Sequence, residues 1–189
     1  MENPFRFSLV IALLTMLVHS CANDMEVIKK IIDAETEPDL VGDHVEMLYT
    51  DSARLQMRMI TPLVKVYESA KEARREFPEG LQAWLYEKGE LKVEITANWA
   101  KQDLATNLWD ARSNVIVTND EGMKLETEQL FWDPQKAIVY SEKYTKITRK
   151  DGTILIGDTF TSKQDFSNWE LKKGKATIIL EDDENKPEE

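Results

Sequence analysis

Residues 91–99 read Leu91-Lys92-Val93-Glu94-Ile95-Thr96-Ala97-Asn98-Trp99, with an apolar side chain at every odd position and a polar one at every even position. A period of two puts successive side chains on opposite faces of an extended chain, so this stretch predicts a half-buried β-strand. The alternation continues outward. Upstream, Ala53, Leu55, Met57 and Met59 alternate with Arg54, Gln56 and Arg58; after Pro62 the pattern resumes with Leu63 and Tyr67, and Leu81, Ala83 and Leu85 follow. Glycine turns fall between these runs at Lys88-Gly89, Asp120-Glu121-Gly122 and Lys150-Asp151-Gly152. Glycine there supplies the positive φ that tight hairpins need. The body of the chain is therefore expected to be all-β, a meander of antiparallel strands.

The meander repeats. Placing Gly122 on Gly152 superimposes Val117-Thr118 on Ile147-Thr148, Leu125 on Leu155 and Leu130 on Phe160. Placing Gly89 on Gly122 brings Trp99 onto Trp132. Hairpin modules of this kind bury their apolar faces only against their neighbours, which gives a layered architecture with two open ends.

The chain has 189 residues, 42% hydrophobic and 31% charged, which is room for one domain and a short appendage. Acidic residues outnumber basic ones 35 to 24, a net charge of −11, which is the wrong sign for binding nucleic acid through its phosphates. One cysteine and two histidines exclude an intrachain disulfide framework, a Cys/His zinc site and an iron–sulfur site. Glu94, Glu126 and Glu128 alternate with apolar residues and so point to water, while Asp120, Glu121 and Asp151 lack the spacing of a calcium loop. The expectation is no catalytic residue, no metal and no cofactor, and hence a protein that is not an enzyme.

At the N-terminus, residues 7–18 are a run broken only by Ser8 and Thr15, too short to span a bilayer as a helix and of the length of a signal-peptide core. Cys21 follows in the context Leu17-Val18-His19-Ser20-Cys21, which resembles a bacterial lipobox. On this reading residues 1–20 are a lipoprotein signal peptide, and Cys21 carries the acyl chains that anchor the mature chain to a membrane. Met25, Ile28, Ile31 and Ile32 recur at helical spacing, so residues 21–47 read as a short helix and an extended tether. Residues 48–180 form the β body, and residues 181–189 an acidic, disordered tail.

Trp84, Trp99, Trp109, Trp132 and Trp169, with Met57, Met59 and Phe160, offer more bulky apolar surface than a thin sheet needs. Core packing accounts for any one of them. As a set they also suit a groove for an acyl chain. The alternation and the turn positions put Met57, Met59, Leu85, Val93, Ile95, Trp109, Val117, Leu125, Ile147 and Phe160 on the inner face, with facing open near Pro62 and around residues 130–132, where a bulge would shift the register. Both ends of such a sheet present unpaired backbone groups. Pro62 lacks a ladder donor and marks the first strand as one edge, and Lys175-Ala176-Thr177-Ile178-Ile179-Leu180, free of proline and β-branched, marks the other. Each end is read as docking a partner by strand addition.

The stretches Tyr49-Thr50-Asp51-Ser52-Ala53-Arg54, Glu76-Phe77-Pro78-Glu79-Gly80-Leu81 and Leu108-Trp109-Asp110-Ala111-Arg112-Ser113-Asn114-Val115, with residues 122–133 (GMKLETEQLFWD) and Asp151-Gly152-Thr153-Ile154-Leu155-Ile156-Gly157, resemble in order the lipoprotein branch of the LptC family. That resemblance implies an open, twisted antiparallel β-jellyroll of the OstA/LptA kind. It also implies a periplasmic protein that accepts lipopolysaccharide (LPS) from the inner-membrane ABC exporter (LptF and LptG with LptB) and passes it to the bridge protein LptA. The first sheet end would face the exporter and the second LptA. A lipobox stands here where better-studied members carry a transmembrane helix. Ala22 after the cysteine favours outer-membrane sorting, whereas the family role requires the inner membrane. Two alternatives stand beside this reading: a stand-alone lipid-binding envelope lipoprotein, which would need a closed barrel like a lipocalin's, and a structural envelope lipoprotein that binds no lipid.

Overall fold

The computed structural model describes residues 36–177. In chain order the strands are β1 (Leu40–Asp51), β2 (Arg54–Tyr67), β3 (Arg74–Phe77), β4 (Leu81–Glu87), β5 (Glu90–Ala97), β6 (Trp99–Asp103), β7 (Trp109–Asn119), β8 (Lys124–Asp133), β9 (Ile138–Ser141), β10 (Thr145–Thr148), β11 (Ile154–Gly157), β12 (Thr159–Lys163), β13 (Trp169–Lys172) and β14 (Lys175–Thr177). All pair antiparallel.

The pairing resolves into two ladders that share their long strands. The first ladder runs from residues 57–60 of β2 through β4, β5, residues 116–119 of β7, residues 124–127 of β8, β10 and β11 to β14. The second runs from residues 65–67 of β2 through β3, β6, residues 109–112 of β7, residues 131–133 of β8, β9 and β12 to β13. Between them lies a crease where β2, β7 and β8 leave one set of partners for the other, and where the shorter strands break. This is an open β-jellyroll. Its two layers face each other across a shared core: Val93 and Ile147 from the first ladder pack with Val139 and Phe160 from the second, and Met59 and Ala83 pack with Phe77 and Ala100.

A strand that changes partner loses ladder hydrogen bonds, and buried hydroxyls stand at those points. Thr61 Oγ1 lies 2.8 Å from Gly80 O and 2.9 Å from Leu63 O. Thr127 Oγ1 lies 3.1 Å from Ser141 Oγ and 3.0 Å from Tyr144 O, and Thr145 Oγ1 donates to Lys143 O at 2.9 Å. In β7 the crossing is a bulge at Ser113 and Asn114, both at positive φ (62° and 53°), and Asn98 N donates to Ser113 O at 3.0 Å. Gly80, at φ 84°, is fixed by the same line: a Cβ there would sit 2.3 Å from Ala97 O.

The turn chemistry repeats as the sequence suggests. Gly122 N donates to Asn119 O at 3.1 Å and Asn119 N to Met123 O at 3.1 Å; one module on, Gly152 N donates to Arg149 O at 3.0 Å and Arg149 N to Thr153 O at 2.9 Å. The alignment of Trp99 with Trp132 is off by one facing. Ala100 is the buried residue and Trp99 lies outside against Arg112, because the break at Asn98 re-sets the alternation.

Three sequence expectations change. The tether to Met47 is instead largely strand: β1 begins at Leu40 and pairs along β2 from Leu40↔Val66 to Asp51↔Arg54. Its alternation is weak because it is an outer strand, on which only Gly42, Val45 and Met47 are half-buried. Pro62 is accordingly not on the outer edge. It sits in β2 after the last pair with β4, Ile60↔Gln82, and before the first with β3, Lys65↔Glu76, so its missing donor costs no bond to either. Beyond Pro62 the core residues are Val64 and Val66 rather than Leu63, because the crossing reverses parity. The lipobox with Cys21, the helix expected at residues 24–35, Ile178, Ile179 and the acidic tail lie outside the described residues.

Asp39 fastens the start of β1. Its Oδ2 accepts from the backbone N–H of Glu68 at 2.7 Å and of Ser69 at 2.9 Å, and its Oδ1 accepts from Ser69 Oγ at 2.7 Å. The Ser69 bonds, backbone first, hold its carboxyl below the ordinary 3.8. A depressed carboxyl contributes stability above its unfolded-state value and loses it as pH falls through the folded one. In an NMR titration the Ser69 amide is expected to shift with a midpoint below 3.8, and Asp39→Asn to abolish that transition; a midpoint at or above 3.8 would show that the clamp does not form in solution.

Candidate functional site

Along the side opposite the crease, the two ladders stand apart and leave a groove of about 980 Å³. That is at the upper end of the range for small-molecule sites, about 300–1,000 Å³. Met57, Met59 and Leu85 from the first ladder form one wall, and Trp109 and Trp132 from the second form the other. The floor between them is apolar throughout, narrowing to Ala83, Ala100, Ala111 and Val139. Small side chains keep it deep. Trp109 stacks on Trp132 with ring centroids 6.2 Å apart to make an aromatic wall, and Phe77, fully buried and not itself lining the groove, stacks on Trp109 at 5.6 Å.

Hairpin turns and strand ends rim the mouth. Glu87 and Lys92 border it on one side, and Asn107, Pro134, Ala137 and residues 163–165 on the other. Lys92 is held as a cation by Asp120, with Nζ 2.7 Å from Oδ2, and by Glu90, which push its pKa well above the ordinary lysine range.

Of the ten residues read as inward-facing, six border this groove: Met57, Met59, Leu85, Val93, Ile95 and Trp109. The other four, Val117, Leu125, Ile147 and Phe160, also face inward but line no part of the groove and are 0–1% exposed in a closed core, which Val93, at 1%, joins to the groove. Phe166, from the turn between β12 and β13, fills the space between the layers there and stacks on Phe160 at 6.1 Å. The groove thus occupies the N-terminal half of the jellyroll. Trp84 and Trp99, grouped with the groove by composition, lie outside, each under an arginine: Arg58 at 4.8 Å and Arg112 at 4.9 Å. Trp169 packs partly against the closed core.

Sequence reading grouped Trp132 with the groove but left the facing of Leu130 and Trp132 open, because β8 reverses parity between Thr127 and Leu130, and it missed Val139 of β9. It also missed Met47 and Tyr49 of β1. The pairing Trp109↔Trp132 was the available signal for Trp132, but it requires knowing the register across the β7 bulge.

Nothing in the groove resembles an acid–base or nucleophilic set. Glu94 and Glu126 lie on the outer faces, as read; Glu126 pairs with Lys124 at 2.9 Å and Lys146 at 3.2 Å, and Lys124 first, then Lys146, lowers its pKa. Among the described residues no group of His, Cys, Asp and Glu could hold a metal ion. What the arrangement can do is hold an extended apolar chain between an aromatic wall and a methionine wall.

These features define a class, an open β-jellyroll with an apolar channel between its layers. The family model described as lipopolysaccharide-assembly, LptC-related, matches residues 8–155, and the chain belongs to the LptC family. The matched segment contains every one of the six groove residues; β12, β13 and β14 extend the same ladders beyond it. No curated protein matches the chain. The family is a periplasmic transport component rather than an enzyme family, which assigns this chain a part in lipopolysaccharide transport. No helix among the described residues is long and apolar enough to cross a membrane.

Groove and core are separable by stability. Phe160→Ala empties a filled interior and should cost about 3–5 kcal/mol in urea unfolding, whereas Met57→Ala enlarges a space that is already open and should cost about 1 kcal/mol or less. Equal losses would mean that the groove is closed in solution.

Proposed function

We propose that this protein is the membrane-anchored periplasmic carrier that accepts LPS from the inner-membrane exporter (LptF and LptG with LptB) and hands it to LptA. The observation that carries the reading is the groove itself, with an apolar floor, a methionine wall facing a tryptophan wall, and polar side chains bordering its mouth and the Arg75–Gln102 side. Each CH₂ left in water costs roughly 0.8 kcal/mol, so an acyl chain crossing an aqueous compartment needs a continuous apolar track. The exporter hydrolyses ATP and supplies direction; this chain supplies the track. A lipid anchor on Cys21 holds the carrier at the inner membrane, and residues between Cys21 and β1 serve as its tether.

The two ends serve the two partners. The upstream edge is β1, which pairs with β2 alone among the described residues and exposes Leu40, Val41, Leu48 and Tyr49. It takes the role that the sequence had given to Pro62. The downstream edge is β14, which ends at Thr177, with Ile178 and Ile179 next in the sequence, and LptA adds a strand at this end. Lipid that reaches Trp132 meets the closed core, and onward passage requires Phe166 to withdraw. Phe166 sits at φ 58°, a conformation that costs a bulky residue about 1–3 kcal/mol and is held by its burial. An open sheet, rather than a closed barrel, favours this reading over a lipocalin-like carrier acting alone.

A photo-crosslinking residue at Met57, Leu85 or Trp132 should capture LPS in cells, and one at Trp84, Trp99 or Glu94 should not. Equal capture on both faces would end the groove model. Ile178→Pro removes a backbone donor from the downstream edge and should abolish binding of LptA with the circular dichroism spectrum retained; unchanged affinity would refute docking at that end.

A further inference from the structure

Arg75 faces into the groove. It shares a face of β3 with Phe77, which is fully buried, and its cross-strand neighbour Gln102 shares a face of β6 with buried Ala100. Both side chains border the cavity beside Trp109. An Arg75 Nη1–H donates to Gln102 Oε1 at 3.2 Å, and Gln102 Nε2–H donates to Asn107 Oδ1 at 2.5 Å. The guanidinium is thus oriented by neutral amides. It forms no ion pair with a carboxylate among the described residues, although acids outnumber bases 35 to 24 in the chain.

Three arginines on outer faces behave differently: Arg58, Arg74 and Arg112 each bond a carboxylate, of Glu46, Glu76 and Asp110, whereas Arg149 lies over Trp169. Asp51, Glu87 and Asp165 border the same groove without pairing with Arg75, and the Asp165 carboxylate is taken up by the Ser167 N–H at 3.0 Å and the Ser167 hydroxyl at 2.6 Å. A half-buried cation on an apolar wall is costly unless an anion joins it, and the planar fork of arginine matches the oxygens of a phosphate two at a time.

We propose that Arg75, held by Gln102 and Asn107, is a phosphate-recognition site inside the groove, which seats the phosphorylated headgroup of an amphiphile while its acyl chains lie against Met57, Leu85, Trp109 and Trp132. The proposal rests on the reading of the groove as a lipid site and adds to it the class of headgroup and the residue that selects it. Arg75 fixes the orientation of the cargo, headgroup toward the β6–β7 turn and chains toward the methionine wall. A groove without such a group would take any acyl chain; with it, charged lipid is preferred over neutral lipid of the same chain length.

The test is equilibrium binding to the full chain of three probes: bisphosphorylated lipid A, the same lipid enzymatically dephosphorylated, and inorganic phosphate. The wild-type protein is expected to bind the phosphorylated lipid about tenfold or more tighter than the dephosphorylated one. Arg75→Met, which keeps an apolar side chain of similar reach, should bind both lipids alike at the wild-type affinity for the dephosphorylated form. Arg75→Lys keeps the charge but not the fork and should fall between. Matching thermal melts establish that the variants are folded. Retention of the full preference in Arg75→Met overturns the proposal and leaves the groove reading standing, while failure of the wild type to bind either lipid overturns both. Inorganic phosphate binding as tightly as the phosphorylated lipid would overturn the assignment to a lipid headgroup and make the site one for free phosphate.

Discussion

Along the crease of this jellyroll each long strand must give up one neighbour before it meets the next, and the backbone groups released there cannot be left bare in a protein interior. Thr61, Thr127, Ser141 and Thr145, all buried, stand along that line with their hydroxyls on carbonyls and on one another. No buried side-chain polar atom among the described residues lacks a partner. Because those hydroxyls allow the strands to turn there, a single run of hairpins becomes two facing layers. The layers meet at the crease and diverge away from it, which produces both an apolar interior and an open side.

What fills the interior then decides what it can do. Toward the N-terminal end the facing positions are small, Ala83, Ala100 and Ala111, and the space between the walls stays open. Toward the C-terminal end they are large, Leu125, Ile147, Phe160 and Phe166, and the same architecture closes into an ordinary core. The alternation of inner and outer residues runs through both halves, with its parity reversed at the crease in β2 and β8. One sheet thus combines an open groove with the packed region that supports it, and the boundary falls where Phe166 folds between the layers.

This division explains how much could be read from the sequence. The period of two and the glycine turns are local signals, so strands such as β4 and β5 and the hairpins at Gly89, Gly122 and Gly152 were legible. Inward facing was legible too: all ten residues read as inward do border the groove or the core. Whether an inward residue meets another side chain or empty space depends on the volume opposite, and Leu125 and Leu85 look alike until the ladders are paired. The facing of Trp132 was left open by the parity reversal in β8, and β1 was hidden because only Gly42, Val45 and Met47 on it are half-buried, which weakens the alternation that reveals other strands. Arg75 reads as one more charge in a charged stretch until Phe77 fixes which way β3 faces.

The central claim is that acyl chains lie between the methionine wall and the Trp109–Trp132 wall. Tryptophan emission quenched by LPS carrying brominated acyl chains measures this directly, because bromine quenches only at short range and the tryptophans sit on opposite faces of the same layers. In variants that retain one tryptophan each, emission from Trp109 and Trp132 should fall on binding while that from Trp84 and Trp99 stays unchanged. Quenching of Trp84 and Trp99 to the same degree, or of none of the four, would contradict the account.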